Sequence, residues 1–152
     1  VYKECKRTKG VIMGRIEEFD QLRRLKQQLN IEQDRLNKLT ASICVISSSD
    51  ESSGKVDGGG LNTTEDKYIN IVDMCREQQK AVKECEREYW QLENIIFNKI
   101  REVSKKNQLC GVVLYERFIN LTSPHETANI IRYSRTSFYR YQEEALKIYS
   151  KL

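Results

Sequence analysis

Leu22, Leu29, Leu36 and Ile43 stand seven residues apart, with Leu25 and Leu39 between them. A second series, Tyr68, Cys75, Val82, Tyr89, Ile96 and Val103, keeps the same interval, with Ile71, Cys85 and Leu92 between. A seven-residue apolar repeat holds one narrow seam along an α-helix, and such a seam is stable only when another helix covers it. Little interrupts the helices. The only proline is Pro124, and six of the seven glycines precede residue 61, leaving Gly111 alone between Leu61 and Ser123. With 32% charged residues and a mean hydropathy of -0.66, apolar material is too scarce for a thick core and suits thin helical packing.

Between the seams, SSSDESSGKVDGGGLNTT over residues 47–64 offers neither a core nor a helical pattern and predicts a flexible connector. Two stripes of matching length, each about 30 residues or 45 Å, then fold back on one another. The expectation is an all-α chain: a long antiparallel coiled-coil helical hairpin over 15–104, followed by a small C-terminal domain over 105–152. Residues 1–14 lack periodicity and are expected to be a disordered segment or an extension upstream of Met13. Glu32 and Gln78 interrupt the apolar series, and polar residues at such positions commonly fix register or partner choice at a cost in stability.

Catalysis and metal chemistry find little support. The five cysteines (Cys5, Cys44, Cys75, Cys85, Cys110) form no close CxxC pair, and Cys75 and Cys85 fall on the seam, where a free thiol behaves as a small hydrophobe. His125 is the sole histidine, and the Gly58–Gly60 run lacks the lysine of a phosphate loop. The expectation is a non-enzymatic chain with no cofactor, no metal and no membrane association. Free cysteines and the absence of an apolar run of transmembrane length fit a reducing bacterial cytoplasm, where the Asn62 and Asn120 sequons carry no glycan.

The charge excess is local. Residues 105–152 hold eight basic residues against four acidic ones, which accounts for the entire net charge of +4. Three short helical patterns lie there, the first spanning about residues 108–120. The second opens on Ser123, Pro124 and Glu126, a capping box with proline at the first helical position. It ends near Arg132. The third follows Ser134, a second N-cap, with Phe138, Tyr141, Ala145 and Ile148 on one face and Arg135, Thr136, Tyr139 and Arg140 on the other. Ala128 is small enough for the last two helices to cross closely. Two short helices joined by a tight turn, the second apolar behind and basic in front, meet the demands of a helix-turn-helix.

The stretch LTSPHETANIIRYSRTSFYRYQEEAL resembles the helix-turn-helix of sigma-factor region-four domains, with Glu126, Ala128, Ile131, Ser134, Phe138, Ala145 and Leu146 at matching positions. The order of charged coil, Ser/Gly-rich break, second coil and C-terminal motif is similar to phage and prophage regulators of the ArpU and RinA type. That resemblance covers about residues 15–152 in layout but only some 45 residues in motif. Arg132 stands where the family usually has glycine, and Thr127 where it has an aliphatic residue. The resemblance implies a sequence-specific transcriptional regulator that binds double-stranded DNA and activates phage or mobile-element late genes. Carried over by position, Arg135, Thr136, Ser137, Tyr139 and Arg140 would reach base edges. Arg117, Arg132, Ser134 and Lys147 would meet phosphates. RNA polymerase is a candidate second partner, and the coil could also join a homodimer or small homo-oligomer. Two other readings are a small terminase subunit that binds packaging-site DNA and a purely protein-binding coiled-coil module.

Overall fold

The computed structural model describes residues 16–49 and 64–152, and every element among them is helical. Helix α1 runs Glu17–Ser49, α2 Thr64–Lys106, α3 Gln108–Leu114, α4 Pro124–Ile131 and α5 Arg135–Tyr149, with a wide π-helical turn at Tyr115–Ile119 after α3. Among the described residues no helix is long and apolar enough to cross a membrane. The expected segment 1–14 lies outside the described residues, as does most of the expected connector. Helix does enter the connector's two ends, because α1 continues through Ser49 and α2 begins at Thr64. Adding a residue to an existing helix needs no new nucleus. The two long helices are also unequal, at 33 and 43 residues. Both begin on acidic residues, Glu17, Glu18 and Asp20 in α1 and Glu65 and Asp66 in α2, and α2 ends on Lys105 and Lys106. Those charges oppose the partial charges of the helix ends.

Two compact units divide the chain. The first, Arg24–Trp90, is the middle of the two seams. Cys75 and Val82 are buried there, while Leu25, Leu29, Leu36, Leu39 and Ile43 are half-buried, as a narrow stripe requires. The two polar interruptions meet: Gln78 Nε2 donates to the Glu32 carbonyl at 3.0 Å and to Glu32 Oε2 at 2.6 Å. One amide satisfying both a carbonyl and a carboxylate ties these two positions together, since sliding one helix past the other would strand a half-buried charge. The neighbouring Cys85 thiol is pushed above its ordinary pKa by burial, then by Glu32, Glu88 and Glu84.

The second unit comprises Gln91–Leu152 with the described residues up to Arg23, so it takes in a piece of each long helix besides residues 105–152. Asn107 separates α2 from α3. It is extended (φ -151, ψ 106), and its side chain accepts from the Leu109 and Cys110 N–H groups, ending one helix and capping the next in one residue. The return brings α3 against α2 so closely that a Cβ added at Gly111 would lie 1.8 Å from Ser104 Oγ and 2.8 Å from Ser104 Cβ. Within this unit the first turn of α1 is also held. Phe19 is buried and stacks on Phe118 at 4.3 Å and beside Tyr149 at 4.9 Å. Glu18 accepts from the Tyr149 hydroxyl at 2.6 Å and pairs with Lys99 Nζ at 2.5 Å. Burial alone would raise the Glu18 pKa, but the Lys99 and Tyr149 hydrogen bonds and the Lys99 charge outweigh it and hold it low. Burial and the Glu18 carboxylate push the Tyr149 phenol well above its usual range.

Two outcomes follow. Gly111→Ala should lower stability by about 1–3 kcal/mol in urea unfolding, because the added methyl meets Ser104 at sub-contact distance. Glu18 has a folded pKa below its unfolded one, so its contribution is present above the unfolded pKa, near 4.3, and is lost as pH falls through the folded value. Glu18→Gln should therefore cost about 1 kcal/mol at pH 7, and its difference from wild type should shrink as pH is lowered from there through the acid range, as read from melting curves at a series of pH values.

Candidate nucleic-acid interface

The candidate interface is built on a small buried cluster of Val113, Ala128, Ile131 and Phe138, with Leu109, Val112 and Tyr141 packed around it. Phe138 is fully enclosed and Ala128 nearly so, which sets the back of α5 against α3 and α4. Thr127 is also fully buried. Its hydroxyl donates to the Ser123 carbonyl at 2.9 Å and lies 2.8 Å from Thr122 Oγ1. The residue that departs from the aliphatic pattern is thus satisfied inside the small core rather than stranded there.

Both ends of α4 are closed. Ser123 Oγ accepts from the Glu126 N–H at 3.2 Å while Glu126 Oε2 accepts from the Ser123 N–H at 2.8 Å, completing the capping box, with Pro124 at the first position. Those bonds lower the Glu126 pKa. At the other end Arg132 adopts the left-handed conformation (φ 58, ψ 40). The Tyr133 N–H then reaches the Ala128 carbonyl and the Arg132 N–H the Asn129 carbonyl, each at 3.1 Å, which is the pattern of a Schellman ending. Glycine would take this conformation at lower cost, so arginine here exchanges backbone ease for a side chain. Ser134 caps α5 through the Ser137 N–H, leaving only Arg132, Tyr133 and Ser134 between the two helices.

This frame exposes Arg135, Thr136, Tyr139 and Arg140, which share one face at positions i, i+1, i+4 and i+5. The Arg135 guanidinium lies 5.9 Å from the Tyr139 ring centroid and that of Arg140 lies 5.3 Å from Tyr141. Aromatic rings thereby steady both cations on the surface. Ser137, grouped with them from sequence, is half-buried and its hydroxyl accepts from Ser134 at 3.1 Å. Of the residues expected at phosphates, Arg132 and Ser134 border the same face at the turn and are exposed. Lys147 lies farther along α5, exposed and 2.7 Å from Glu143. Arg117 is turned inward: Nη1 donates to the Thr122 carbonyl, and Nε donates to Gln142 at 3.3 Å. Burial lowers its pKa, Tyr139 raises it and Arg23 lowers it again.

Sequence reasoning passed over Tyr133, exposed in the turn and edge-on to Tyr141 at 5.2 Å. Three tyrosines among three arginines over residues 132–141 were the available signal. It also assigned Tyr141 wholly to the packed face, whereas the ring is half-buried and underlies Arg140. The last buried position of α5 is Tyr149, with Ile148 only half-buried, because the first turn of α1 comes back to cover it.

Among the described residues no group of three or more His, Cys, Asp or Glu could hold a metal ion, and Cys44, Cys75, Cys85 and Cys110 carry no disulfide. Burial, then Glu144, pushes the Cys110 thiol up to about 11.

A family model matches residues 45–150, from the second seam's approach through α5. The chain belongs to the DUF1492 family, a protein of unknown function. No curated protein and no solved structure matches it.

The left-handed turn of this DUF1492 member yields a two-sided outcome. Arg132→Gly should raise stability by about 1 kcal/mol in urea unfolding by relieving the backbone cost. If Arg132 meets phosphate, the same variant should bind duplexes of every sequence more weakly.

Proposed function

We propose that this chain is a sequence-specific DNA-binding protein, a transcriptional regulator that reads the major groove with α5. The carrying observation is the α5 face itself: Arg135, Thr136, Tyr139 and Arg140 stand exposed in the first two turns, on a helix whose back is locked by the fully buried Phe138 and Ala145. An α-helix fits the major groove, and residues near its N-terminus reach base edges when a preceding helix braces it. On this reading α4 and α5 are a helix-turn-helix, and the two long helices supply a coiled-coil hairpin.

The roles follow from chemistry. Arg135 and Arg140 would each pair bidentately with guanine N7 and O6, and Thr136 would use its hydroxyl or its methyl group. Tyr139 orients Arg135 and offers its phenol. Arg132 and Ser134, at the turn, suit phosphate contacts that set register, and Lys147 suits one farther along. Ser137 serves the cap and Arg117 the turn before α4, so neither is assigned to DNA. The local positive charge of residues 105–152 favours approach to a polyanion. Late-gene activation in a phage or mobile element is the biological role that the resemblance of this segment suggests.

Duplexes selected from a random pool and scrambled controls, titrated by fluorescence anisotropy at several salt concentrations, test the reading. Arg135→Ala and Arg140→Ala should each cost about 1–3 kcal/mol on selected DNA and flatten discrimination. Lys147→Ala should weaken all sequences alike and reduce the salt slope by about one. Full discrimination in both arginine variants would return α5 to a packing or protein-contact role.

A further inference from the structure

Away from α5, the Gln91–Leu152 unit carries an apolar groove between α2 and the wide turn after α3. Two adjoining hollows of about 420 and 250 Å³ share Phe97 and Tyr115 as common walls. Phe97 is 41% exposed, edge-on to Tyr115 at 6.1 Å, and the larger hollow is deepened where Gly111 approaches Ser104. A phenylalanine left this open beside a concave surface is poorly used by the monomer.

Three charged residues line the groove, and one of them, Glu116 in the larger hollow, is already engaged by the Asn120 amide at 3.1 Å; the other two are placed symmetrically about Phe97. Glu93 lines the smaller hollow and Arg101 the larger, and each is four residues from Phe97 in opposite directions. They therefore lie about 6 Å to either side of it along the helix axis. Arg101 is held over the groove, its guanidinium 5.5 Å from the Phe97 ring centroid. A dyad through Phe97 exchanges the two ends. It would set Glu93 against the partner's Arg101 and Arg101 against the partner's Glu93, around two apposed Phe97 rings. A surface that is its own charge complement under a two-fold rotation is what an isologous contact requires.

We propose that the Phe97 groove is a homodimer interface in which a second copy of this chain packs antiparallel across α2, with Glu93 and Arg101 as reciprocal pairs. The contact is separate from the heptad seams, which are occupied within the chain where Gln78 meets Glu32. If α5 reads DNA as proposed above, each dimer presents two such faces, and its preferred site has two half-sites related by a dyad.

Sedimentation equilibrium of the full chain without DNA, from about 1 µM to about 1 mM, tests the interface independently of any DNA reading. The wild type should show a reversible monomer–dimer equilibrium. Glu93→Arg creates two like-charge pairs per dimer, as does Arg101→Glu, so each should raise the dissociation constant about tenfold or more. The deciding measurement mixes the two variants. In a mixed dimer both pairs are again opposite in sign, so the Glu93→Arg chain and the Arg101→Glu chain should associate with each other at close to wild-type strength. Circular dichroism confirms that each variant is helical, and the doubly reversed chain, E93R/R101E, should dimerise alone. A monomeric wild type across this range, a ring of many chains, dimers indifferent to either reversal, or variants that fail to associate on mixing would each overturn the proposal. Loss of DNA binding with the dimer intact would instead count against the reading of α5 alone.

Discussion

Phe138 is the residue on which the C-terminal unit turns. Its ring is fully enclosed by Val113, Ala128 and Ile131, contributed by two other short helices. A ring of this size buried outright is worth several kcal/mol, and truncating it to alanine in a core typically costs about 3–5. That is a large share of the stability available to a unit this small. Because a side chain every third or fourth residue must point inward, fixing Phe138 and Ala145 inward fixes Arg135, Thr136, Tyr139 and Arg140 outward. The exposed face is a consequence of the buried one, and Ala128 permits the close approach that makes both possible.

Polar groups do the positioning that so thin a core cannot. Asn107 ends α2 and starts α3, Ser123 with Glu126 starts α4, and Ser134 starts α5. Each satisfies backbone donors that would otherwise be left without partners at a helix start. Between two helices the Gln78 amide donates to the Glu32 carbonyl and carboxylate, and Glu18 gathers Tyr149 and Lys99 around the first turn of α1. Among the described residues no buried side-chain nitrogen or oxygen lacks a partner. In helices joined by narrow seams, where apolar packing tolerates sliding, such directional contacts are what select one register.

Among the described residues two positions carry backbone cost, Leu121 and Arg132, both at φ 58 and both flanking α4. Leu121 follows the wide turn, whose exit is held by the Thr122 N–H and hydroxyl donating to the Glu116 carbonyl at 2.9 and 2.7 Å, with Arg117 on the Thr122 carbonyl. This explains why Arg117, basic and in a basic segment, is drawn away from the surface. Arg132 ends α4 in the same conformation with its side chain exposed.

What the sequence determined by itself is whatever depends on neighbours along the chain. Heptad spacing, the N-caps Ser123 and Ser134, the capping box and the α5 face rest on i to i+3 and i+4 relations, and α2, α4 and α5 stand close to where those relations put them. The halt at Arg132 was readable too, although only the structure shows the left-handed residue that makes it. Tertiary structure alone decided the rest: that Glu32 and Gln78 meet, that the first turn of α1 joins the C-terminal unit and buries Tyr149, that Arg117 turns inward, and that Phe97 is left in an open groove. These contacts join residues 5 to 131 positions apart. Local periodicity specifies which side of a helix is apolar but not which distant side chain will cover it, and that choice is made by shape, charge and hydrogen bonding once the helices are packed.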